Sequence, residues 1–588
     1  MAVFSKVLVA NRGEIAIRIF RTLRELGIGT VAVYSDADRG SAHVGYADEV
    51  YLIGGGLPAE SYLNQERIFE AASRAGAAAV HPGYGFLAEN ATFARACAEH
   101  GLVWIGPPPE AIEAMGSKIE ARERMRAAGV PIIPGVTEPV ESAEEVRGLG
   151  DELGWPVAIK ASAGGGGKGL KVVRDPVDAD RAFESARREG EAYFSDPAVY
   201  VERYLEDPRH VEVQVLADAH GHVIHLGERD CTIQRRHQKL VEETPSPAVD
   251  AELRERIGAI AVEAARAVGY QSAGTIEGLL SRDGEYFFLE MNTRIQVEHT
   301  VTELVTGLDL VREQVLIAAG EPLSVRQEDV QLQGHALECR INAEDVANGF
   351  LPAPGTITRY REPSGPGVRV DSGVVAGSEI SPLYDPMIAK LIVHGVNREH
   401  ARRRMLRALD EFDIEGVKTL IGFHKALLTH PCFVEGATCH GLVESELMAA
   451  RASELNNGRP AGGGPEVAAA VREAVRSVEV DGRRFEVRVL RPEPAFAELA
   501  RRRRERARGG GAAGAGRDAV ISPMQGTVLA VEVAEGDEVD AGQVICIVEA
   551  IKMENEVHAH RAGRVTELSV APGQPVKTGQ VICVVTAE

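Results

Sequence analysis

The last part of the chain contains one sequence pattern twice, and this repeat constrains the fold more than any other feature. The second copy follows the first at a constant offset of 37 residues, as from Gly526 to Gly563 and from Cys546 to Cys583. In each copy, apolar and polar residues alternate between turns that contain glycine, which is typical of short strands with one buried face. The repeat therefore predicts a small, pseudo-symmetric β-sandwich.

Lys552 lies on the link between the two copies, next to the apolar residues Ile551 and Met553. A turn that joins strands usually carries Asn, Asp or Gly. One interpretation is an ordinary solvated lysine. The alternative is an amine that the scaffold presents for chemistry, and the position of Lys552 at the centre of the repeat favours this second interpretation.

Length and charge limit the function classes. The chain has 588 residues and a net charge of −22, which argues against a chain-wide nucleic-acid surface. No apolar run approaches the length of a membrane span, and the N-terminus enters a strand rather than a signal peptide, so we expect a cytoplasmic protein. No C-x-x-C pair occurs, so we expect reduced thiols rather than a disulfide framework at Cys97, Cys231, Cys339, Cys432, Cys439, Cys546 and Cys583.

The N-terminal residues alternate as in a parallel α/β domain. Residues 6–10 and 31–34 have the pattern of buried strands, and residues 15–26 between them have helical periodicity. Further strands are predicted at 78–80 and 103–105. No G-x-G-x-x-G follows the first strand, which argues against a dinucleotide site. The pattern predicts a doubly wound domain with a ligand crevice at its strand ends.

A glycine-rich segment, residues 164–169, lies between two short apolar strands at 156–161 and 170–173. Such a run can be a flexible linker. It can also fold its backbone N–H groups around a polyphosphate, and its place between strands inside a domain favours this function. It is not a P-loop, because no Gly-Lys-Ser/Thr is present and no helix follows directly.

From residue 6 to residue 446 the chain resembles the biotin carboxylases, which have the ATP-grasp fold. The resemblance is carried by N-R-G-E-I-A at 11–16, H-P-G-Y-G-F-L at 81–87, P-R-H-V-E at 208–212, E-R-D-C at 228–231, Q-R-R-H-Q-K at 234–239, E-M-N-T-R-I-Q-V-E-H at 290–299 and E-C-R-I-N at 338–342. It implies an α/β carboxylase made of a Rossmann-like N-terminal subdomain (1–117), an ATP-grasp domain (118–334) and a C-terminal subdomain (335–447), followed by a linker (448–516) and a β-sandwich biotinyl domain (517–588).

The C-terminal repeat resembles biotinyl carrier domains, in which the modified lysine lies in A-M-K-M. Here Ile551 replaces the first Met, a change that conserves size and apolarity. Lipoyl domains share the fold but usually have Asp before the lysine. The resemblance therefore implies that biotin is attached to Lys552.

The resemblance also implies binding sites for ATP and for Mg²⁺ or Mn²⁺. The implied nucleotide-binding residues are Lys118, Lys160, Gly164, Gly165, Gly166, Gly167, Lys168, Gly169, Glu202, Arg203, Tyr204, Leu205, His210, Gln234 and His237. The implied metal ligands are Glu277, Glu290 and Asn292, oxygen donors that suit a hard cation. Residues i and i+2 of a strand share one face, which supports the last two.

The same alternation, continued from Glu290 to Glu298, predicts one strand with a polar face in a cleft; an ordinary solvated strand face is the alternative. By resemblance, Arg294 holds bicarbonate with help from Lys239 and Gln296. Glu298 is the general base. Arg340 stabilises the negative charge that develops on the oxygen of biotin.

Three residues near these positions depart from the family pattern. Gly278 follows Glu277 where an aromatic residue is usual, Thr300 replaces a proline and Thr244 replaces an alanine. None of the three changes removes a chemical group from the implied site.

Between residues 448 and 516 the composition shifts. Residues 458–465 and 509–516 are rich in small residues, as in linkers. Asp481-Gly482 between apolar-alternating stretches predicts a β-hairpin over 477–490. The basic run 501–506 is compatible with nucleic-acid binding, but a solvated or partner-docking helix suits an acidic chain better.

These features together predict a biotin carboxylase fused to its carrier, similar to the α subunit of the short actinobacterial acyl-CoA carboxylases. The implied partners are bicarbonate, a biotin protein ligase and a separate carboxyltransferase β subunit, with the carboxylase part as a homodimer inside a larger hetero-oligomer. Neither nucleic acid nor a membrane is an expected partner. Two alternatives stay open: the biotin-bearing subunit of a two-subunit pyruvate carboxylase, and a carrier scaffold with an inactive ATP-grasp half.

Overall fold

The computed structural model describes residues 4–136, 138–161, 170–194, 197–236, 238–457, 471–480, 483–492, 518–550 and 553–586. The chain forms two compact units, Met1–Leu455 and Asn456–Glu588. The first unit contains the stretch that resembles a biotin carboxylase, and the second contains the sequence repeat.

A parallel sheet opens the first unit. Ile15, Ile19 and Leu23 recur every four residues on its first helix and are buried in one cluster with Val7 of the first strand. All described strand pairs of the sheet are parallel, which confirms the predicted doubly wound domain. The elements are β1 (Lys6–Val9), α1 (Gly13–Glu25), β2 (Gly29–Ser35), α2 (Ala42–Tyr46), β3 (Glu49–Gly54), α3 (Gln65–Ala75), β4 (Ala79–His81), α4 (Ala91–Glu99), β5 (Val103–Trp104) and α5 (Pro109–Gly116), with the strands in the order β3-β2-β1-β4-β5.

A three-stranded antiparallel sheet follows, in the order β7-β6-β8. Lys160 on its central strand pairs with Leu170, so the glycine-rich segment joins two antiparallel neighbours. The glycines themselves lie outside the described residues. The elements are α6 (Lys118–Ala127), α7 (Ala143–Leu153), β6 (Val157–Ala161), β7 (Leu170–Val173), α8 (Ala179–Phe194) and β8 (Val199–Arg203).

The rest of the first unit is built on one large sheet and the helices that pack against it. Its first elements are β9 (Arg209–Ala217), β10 (Val223–Arg235), β11 (Gln238–Thr244), α9 (Ala251–Ala267), β12 (Ser272–Leu280), β13 (Tyr286–Asn292), α10 (His299–Thr306), α11 (Leu310–Ala318) and β14 (His335–Asn342). They are followed by β15 (Glu344–Asp345), β16 (Leu351–Pro352), β17 (Gly355–Thr356), β18 (Arg359–Arg361), β19 (Val368–Ser372), β20 (Glu379–Ile380), β21 (Met387–Gly395), α12 (Arg398–Glu411), β22 (Asp413–Glu415), α13 (Ile421–Thr429), α14 (Pro431–Val434) and α15 (Glu446–Asn457).

The large sheet has eight strands in the order β13-β12-β9-β10-β11-β14-β21-β19. β11 and β14 are neighbours, with Val241 paired to Cys339. The sheet therefore continues without a break across residue 334, where the sequence predicts a domain boundary.

The second unit contains a hairpin and the C-terminal sandwich. β23 (Val471–Val480) pairs antiparallel with β24 (Arg483–Pro492) along its whole length, and the last pair before the turn is Val480 with Arg483. This confirms the predicted hairpin, whose strands are longer than predicted. The turn residues Asp481 and Gly482 lie outside the described residues. The remaining strands are β25 (Ala519–Ile521), β26 (Gly526–Val531), β27 (Glu538–Val539), β28 (Val544–Ala550), β29 (Met553–His558), β30 (Gly563–Thr566), β31 (Pro575–Val576) and β32 (Val581–Thr586).

These last eight strands form two four-stranded sheets, β25-β32-β30-β27 and β29-β28-β26-β31. Each strand of one sheet corresponds to a strand of the other through the sequence repeat, as β28 does to β32. Repeat-related residues are buried alike: Ile545 and Ile582 are both 0% exposed, and so are Val548 and Val585. The predicted pseudo-symmetric β-sandwich is confirmed.

Two expectations about the environment of the chain can be compared with the structure. Among the described helices, none combines the length and apolarity needed to cross a membrane. The expectation of reduced thiols is wrong at one place, because Cys432 and Cys439 form a disulfide. The chain turns back after α14, where the N–H of Ala437 donates to the carbonyl of Cys432 at 3.0 Å, and the two Cα atoms lie 5.7 Å apart, within the usual range for a disulfide.

Candidate active site

Charged side chains stand side by side on one face of the eight-stranded sheet. β9 lies between β10 and β12, and the register places Glu212 beside Arg229 on one side and beside Glu277 on the other. On the next strand, β13, Glu290 pairs with Glu277. Directly opposed residues of neighbouring strands point to the same face and interact. The sheet thus gathers charged groups from four strands in one row.

The ammonium group of Lys239, on β11, lies among the carboxylates of this row. Its Nζ atom is 2.5 Å from Glu212 Oε2, 2.6 Å from Glu298 Oε1 and 2.9 Å from Glu277 Oε1. Burial alone would lower the pKa of Lys239, but the three carboxylates outweigh it and hold the pKa well above its ordinary value. Lys239 is therefore a permanent positive charge at the centre of the site.

Glu298 is held between two cations. One carboxylate oxygen faces Lys239, and the other accepts a hydrogen bond from Arg340 Nη2 at 2.8 Å. The residue is only 2% exposed. Burial favours a raised pKa, but Lys239, Arg340 and Arg229 outweigh it and hold the pKa of Glu298 well below its usual range. Glu298 is therefore ionised at neutral pH.

Arg340, on β14, links Glu298 to a second buried acid. Its Nε atom donates to Glu242 Oε1 at 2.6 Å. Burial raises the pKa of Glu242 to about 7, although Arg340 opposes the rise. The guanidinium group therefore lies between a firmly ionised carboxylate and one that takes up a proton near neutral pH.

The residues predicted to bind a metal ion lie together at the pair of strands β12 and β13. Asn292 Nδ2 donates to Glu277 Oε1 at 2.7 Å, and His210 Nε2 lies 2.9 Å from Glu277 Oε2. Burial raises the pKa of Glu277, but Lys239 and His210 hold it well below its usual range. With Glu290 opposite, the set offers carboxylate and amide oxygens, which are the ligands that Mg²⁺ and Mn²⁺ prefer. The residues present fit such an ion.

The strand that carries these ligands ends earlier than the sequence indicates. Alternation predicts a continuous strand from Glu290 to Glu298, but β13 ends at Asn292. Glu89 Oε1 accepts a hydrogen bond from the backbone N–H of Thr293 at 3.0 Å, so the chain leaves the sheet there and turns toward α10. The prediction of a single strand face is wrong.

The polar side chains of this turn nevertheless reach the same cluster. Gln296 Nε2 donates to Glu277 Oε1 at 2.6 Å. Arg294 Nη2 donates to Asn292 Oδ1 at 2.9 Å, and its Nε donates to Glu89 Oε2 at 3.0 Å. Arg294 and Gln296 therefore reach the metal-ligand cluster from a turn and not, as the alternation predicts, from a strand.

One part of the predicted nucleotide site lies at the three-stranded sheet, whereas His210 and Gln234 lie on β9 and β10 of the eight-stranded sheet. Lys160 on β6 forms an ion pair with Glu202 on β8. Arg122 Nη1, from α6, lies 3.1 Å from the other oxygen of the same carboxylate. Leu205 packs in a buried apolar cluster with Ile133. The end of β8 therefore offers both fixed charge and an apolar surface.

Three other predicted nucleotide-binding residues contact neighbouring side chains or backbone. Arg203 pairs with Glu285 at 3.3 Å, the ring of Tyr204 lies under the guanidinium group of Arg174 at 5.6 Å, and Gln234 Nε2 donates to the carbonyl of Cys231 at 2.7 Å. The residues that lie outside the described ranges are Gly164, Gly165, Gly166, Gly167, Lys168, Gly169, His237 and Lys552, and the side chain of Lys118 is not described either.

Several further residues contact the predicted ones but received no role from the sequence, among them Glu212, Arg229, Glu89, Arg122 and Glu242. Glu212 and Arg229 lie inside the motifs P-R-H-V-E and E-R-D-C, so the motifs themselves contained the signal. Glu89 lies just beyond H-P-G-Y-G-F-L and binds Arg294. Arg122, which binds Glu202, has no local signal in its helix.

The departures from the family pattern have local explanations. A Cβ atom on Gly278 would lie 2.3 Å from the ring of Tyr286, so that ring fills the space an aromatic side chain would occupy. Thr300 donates to the buried Glu338, and Thr244 donates to the carbonyl of Glu228 at 2.6 Å. The hydroxyl groups of both threonines are thus hydrogen-bonded.

Comparison with protein families assigns most of the chain. Residues 3–112 match the model described as "Biotin carboxylase, N-terminal domain", and residues 117–326 match "Carbamoyl-phosphate synthase L chain, ATP binding domain". Residues 338–445 match "Biotin carboxylase C-terminal domain", and residues 518–585 match "Biotin-requiring enzyme".

Individual relatives agree with this assignment. A biotin-dependent acyl-coenzyme A carboxylase alpha3 subunit from Mycobacterium leprae is 46% identical over 577 residues, covering 95% of each chain. A pyruvate carboxylase subunit from Methanothermobacter thermautotrophicus is 55% identical over 433 residues, 74% of this chain and 88% of the relative.

Among solved structures, the biotin carboxylase domain of 2-oxoglutarate carboxylase from Hydrogenobacter thermophilus has a TM-score of 0.70 and 49% identity, covering 75% of this chain and 99% of that domain. It was solved as a dimer with MgADP, ADP and bicarbonate. The activity that follows from these matches is the ATP-dependent carboxylation of biotin, with ATP, Mg²⁺ and biotin as cofactors. The chain belongs to the biotin carboxylase family, as a member in which the carboxylase and the biotinyl domain share one polypeptide.

Proposed function

We propose that this chain is the α subunit of an acyl-CoA carboxylase. In this proposal the first unit carboxylates biotin held on Lys552, and a separate carboxyltransferase β subunit passes the carboxyl group to acetyl-CoA or propionyl-CoA. The supporting observation is the 46% identity to an acyl-CoA carboxylase alpha3 subunit over 95% of both chains, which includes the biotinyl domain. A biotin protein ligase must modify Lys552 before the cycle can begin.

A second candidate is the biotin-bearing subunit of a two-subunit pyruvate carboxylase. It is favoured by the pyruvate carboxylase relative from Methanothermobacter, whose identity to this chain is higher, 55%, but extends over 74% of it. In both candidates the acceptor binds to the partner subunit, so the two candidates differ in the acceptor that this partner binds.

An assay of the reconstituted complex tests the acceptor. Biotinylated chain and its carboxyltransferase partner, with ATP and labelled bicarbonate, are expected to carboxylate acetyl-CoA or propionyl-CoA at least about tenfold faster than pyruvate, a discrimination of about 1.4 kcal/mol. Incorporation of label into each acceptor is the measurement. Faster carboxylation of pyruvate would replace the acyl-CoA proposal with the second candidate.

The third possibility, an inactive carrier scaffold, makes a different prediction. With free biotin, an active enzyme hydrolyses ATP only when bicarbonate is present, whereas a scaffold gives no bicarbonate-dependent phosphate release. Lys239, Gln296, Glu298 and Arg340 are hydrogen-bonded into one cluster with the predicted metal ligands, which favours an active site.

In the proposed site, substrate and cofactor binding is divided between two regions. Lys118, Lys160 and residues 164–169 bind the phosphates of ATP, residues 202–205 line the adenine, and His210, Gln234 and His237 lie near the ribose and phosphates. Glu277, Glu290 and Asn292 hold Mg²⁺ or Mn²⁺, which when bound neutralises phosphate charge. Arg294, Lys239 and Gln296 hold bicarbonate.

Glu298 has the position and charge for a general base. It removes the proton of bicarbonate, whose oxygen then attacks the γ-phosphorus of ATP while ADP leaves. The resulting carboxyphosphate breaks down to CO₂ and phosphate, and phosphate accepts the N1 proton of biotin. Arg340 stabilises the negative charge that develops on the oxygen of biotin, and N1 attacks the carbon of CO₂ to form the N–C bond of carboxybiotin. Because Lys239 and Arg340 stabilise the Glu298 carboxylate strongly, bicarbonate must compete for these cations before Glu298 becomes an effective proton acceptor.

Arg340→Ala tests the electrostatic part of this proposal. We expect a loss of about 10²–10³-fold in biotin carboxylation, as for removal of one donor to a developing negative charge, while ATP binding stays near normal. Carboxylation of free biotin and calorimetric ATP binding are the two measurements. If ATP binding or folding is lost instead, Arg340 does not have this role.

Arg398→Ala is the matched control for Arg340. Arg398 also binds a buried glutamate of β11, with its Nε 2.7 Å from Glu243 Oε2. Because Glu243 follows Glu242 on the strand, its side chain lies on the opposite face of the sheet. The control variant is expected to lose stability but to keep its activity per folded molecule.

A further inference from the structure

The largest fully buried side chain in the described part of the protein is that of Arg229, on β10, and the proposed reaction gives it no role. A guanidinium group has five N–H donors. All five are used here, and each goes to a different acceptor: Glu212 Oε1 at 2.5 Å, Gln214 Oε1 at 2.7 Å, Thr302 Oγ1 at 3.0 Å, Gln296 Oε1 at 3.0 Å and Thr275 Oγ1 at 3.1 Å.

Three of these acceptors belong to the framework. Gln214, Thr275 and Thr302 lie on β9, β12 and α10, so their bonds fix the guanidinium group relative to two strands and one helix. A fully buried arginine with this many anchors cannot rotate without losing several hydrogen bonds at once. The remaining two N–H groups are thereby held in fixed directions.

One of these two N–H groups of Arg229 sets the orientation of the Gln296 amide. Gln296 Oε1 accepts from Arg229, so its NH₂ group faces the site and donates to Glu277 Oε1 at 2.6 Å. If the amide turned over, its NH₂ group would face the N–H of Arg229 and its oxygen would face a carboxylate. Both contacts would then be repulsive, so Arg229 and Glu277 together allow a single orientation.

The other N–H group of Arg229 acts on Lys239 through the carboxylate of Glu212. Glu212 Oε1 accepts from Arg229, and Glu212 Oε2 faces the ammonium group of Lys239 at 2.5 Å. Glu212 is 0% exposed, so its carboxylate is not hydrated and depends on Arg229 and Lys239 for hydrogen bonds and charge balance. Arg229 therefore fixes the carboxylate that positions Lys239.

We propose that Arg229 is a positioning residue for bicarbonate: it orients the NH₂ group of Gln296 and, through Glu212, the ammonium group of Lys239, without touching the substrate itself. This rests on the proposed function, in which Gln296 and Lys239 hold bicarbonate. A buried arginine that only stabilises the sheet is the competing explanation, and the two differ in their effect on the KM values of the two substrates.

Steady-state kinetics of the full biotinylated chain, with ATP, bicarbonate and free biotin, separate the two explanations. Arg229→Lys keeps the buried charge but cannot satisfy five acceptors in fixed directions. We expect the KM for bicarbonate to rise about ten- to hundredfold and the KM for ATP to stay within about threefold. A folded variant in which both KM values match the wild type, or rise together, would overturn the proposal.

Thr302→Val is the matched control, because it removes one framework acceptor while Gln214 and Thr275 still anchor the guanidinium group and Gln296 stays in place. It is expected to lower Tm while both KM values stay within about threefold of the wild type. A rise in its bicarbonate KM equal to that of Arg229→Lys would assign the effect to loss of framework and overturn the proposal.

Gln296→Met keeps the test decisive if Arg229→Lys does not fold. The proposal requires this variant to raise the bicarbonate KM by about the same factor, since it deletes the group that Arg229 orients. An unchanged bicarbonate KM in Gln296→Met would refute the proposal. Failure of the proposed function itself looks different, because the wild-type chain would then show no bicarbonate-dependent ATP hydrolysis.

Discussion

Glu298→Gln is expected to lower biotin carboxylation and bicarbonate-dependent ATP hydrolysis by about 10²–10⁴-fold, the range that general acid–base catalysis contributes. The substitution keeps the size of the side chain but removes its negative charge, one of the two oxygens that accept from Lys239 and Arg340, and its ability to accept a proton. Lys239 keeps its two other carboxylates, Glu212 and Glu277, so the site should retain its cation. Phosphate release with free biotin, with and without bicarbonate, is the measurement.

The control for Glu298 is Glu313→Gln. Glu313 is equally buried, at 2% exposed, and lies on the neighbouring helix α11, where it accepts a hydrogen bond from Ser324 Oγ at 2.6 Å. None of the described hydrogen bonds of Glu313 reaches a proposed catalytic residue. The Glu313→Gln variant should therefore keep its activity per folded molecule. If Glu298→Gln retained more than about a tenth of the wild-type rate, the general base would have to be sought elsewhere.

Lys552→Arg is expected to abolish biotin incorporation and, with it, all carboxyl transfer in the complex. Biotin is joined to a lysine ε-amine through an amide bond, and a guanidinium group that stays protonated is not a nucleophile for this reaction. Ala550 pairs with Met553 at the end of the β28–β29 ladder, so residues 551 and 552 are the whole connection between these strands. Intact mass is the direct measurement: the wild type should carry one biotinyl group and the variant none.

Two further results make this test specific. Lys577→Arg changes the other lysine of the biotinyl domain and should leave biotin incorporation complete. Lys552→Arg should still hydrolyse ATP with free biotin and bicarbonate, because the catalytic residues lie in the first compact unit. A biotinyl group that persists on the Lys552→Arg chain would show that another residue is modified.

The C-terminal sandwich was predictable because its sequence encodes it twice. The offset of 37 residues pairs every strand of one sheet with a strand of the other, and turns with glycine mark the strand ends. The parallel domain was predictable for a similar reason, since β1, β2 and α1 each have their own periodicity. Local sequence patterns are sufficient to predict a strand or a helix where that element buries one regular face.

The details of the candidate site depended on contacts that no local pattern contains. The sequence assigned Gln296 and Glu298 to a strand, but a hydrogen bond from Thr293 to the distant Glu89 ends that strand at Asn292. The disulfide between Cys432 and Cys439 has a different origin, because it is closed by a local turn after α14 that the spacing of the two cysteines did not indicate. At the end of β13, a residue outside the motif therefore decides the geometry.

Arg229 shows a further limit of the motifs. E-R-D-C marks it as part of a recognisable segment, but its five acceptors come from β9, β12, α10 and the turn before α10. Only the assembled sheet reveals that it is the common partner of Glu212 and Gln296. The residue types proposed to bind substrates could be inferred from the sequence, whereas the residue proposed to orient them could not.

The pairing of β11 with β14 has a consequence for how this enzyme can be divided. A protease cut or a gene truncation near residue 334 would not release two finished domains, because β14 supplies the hydrogen-bonding neighbour of β11. It would expose a long strand edge of the kind that recruits other chains and causes aggregation. Fragments that stop there should be insoluble, so the smallest carboxylase fragment that stays soluble should extend through β14 to the end of the first compact unit at Leu455.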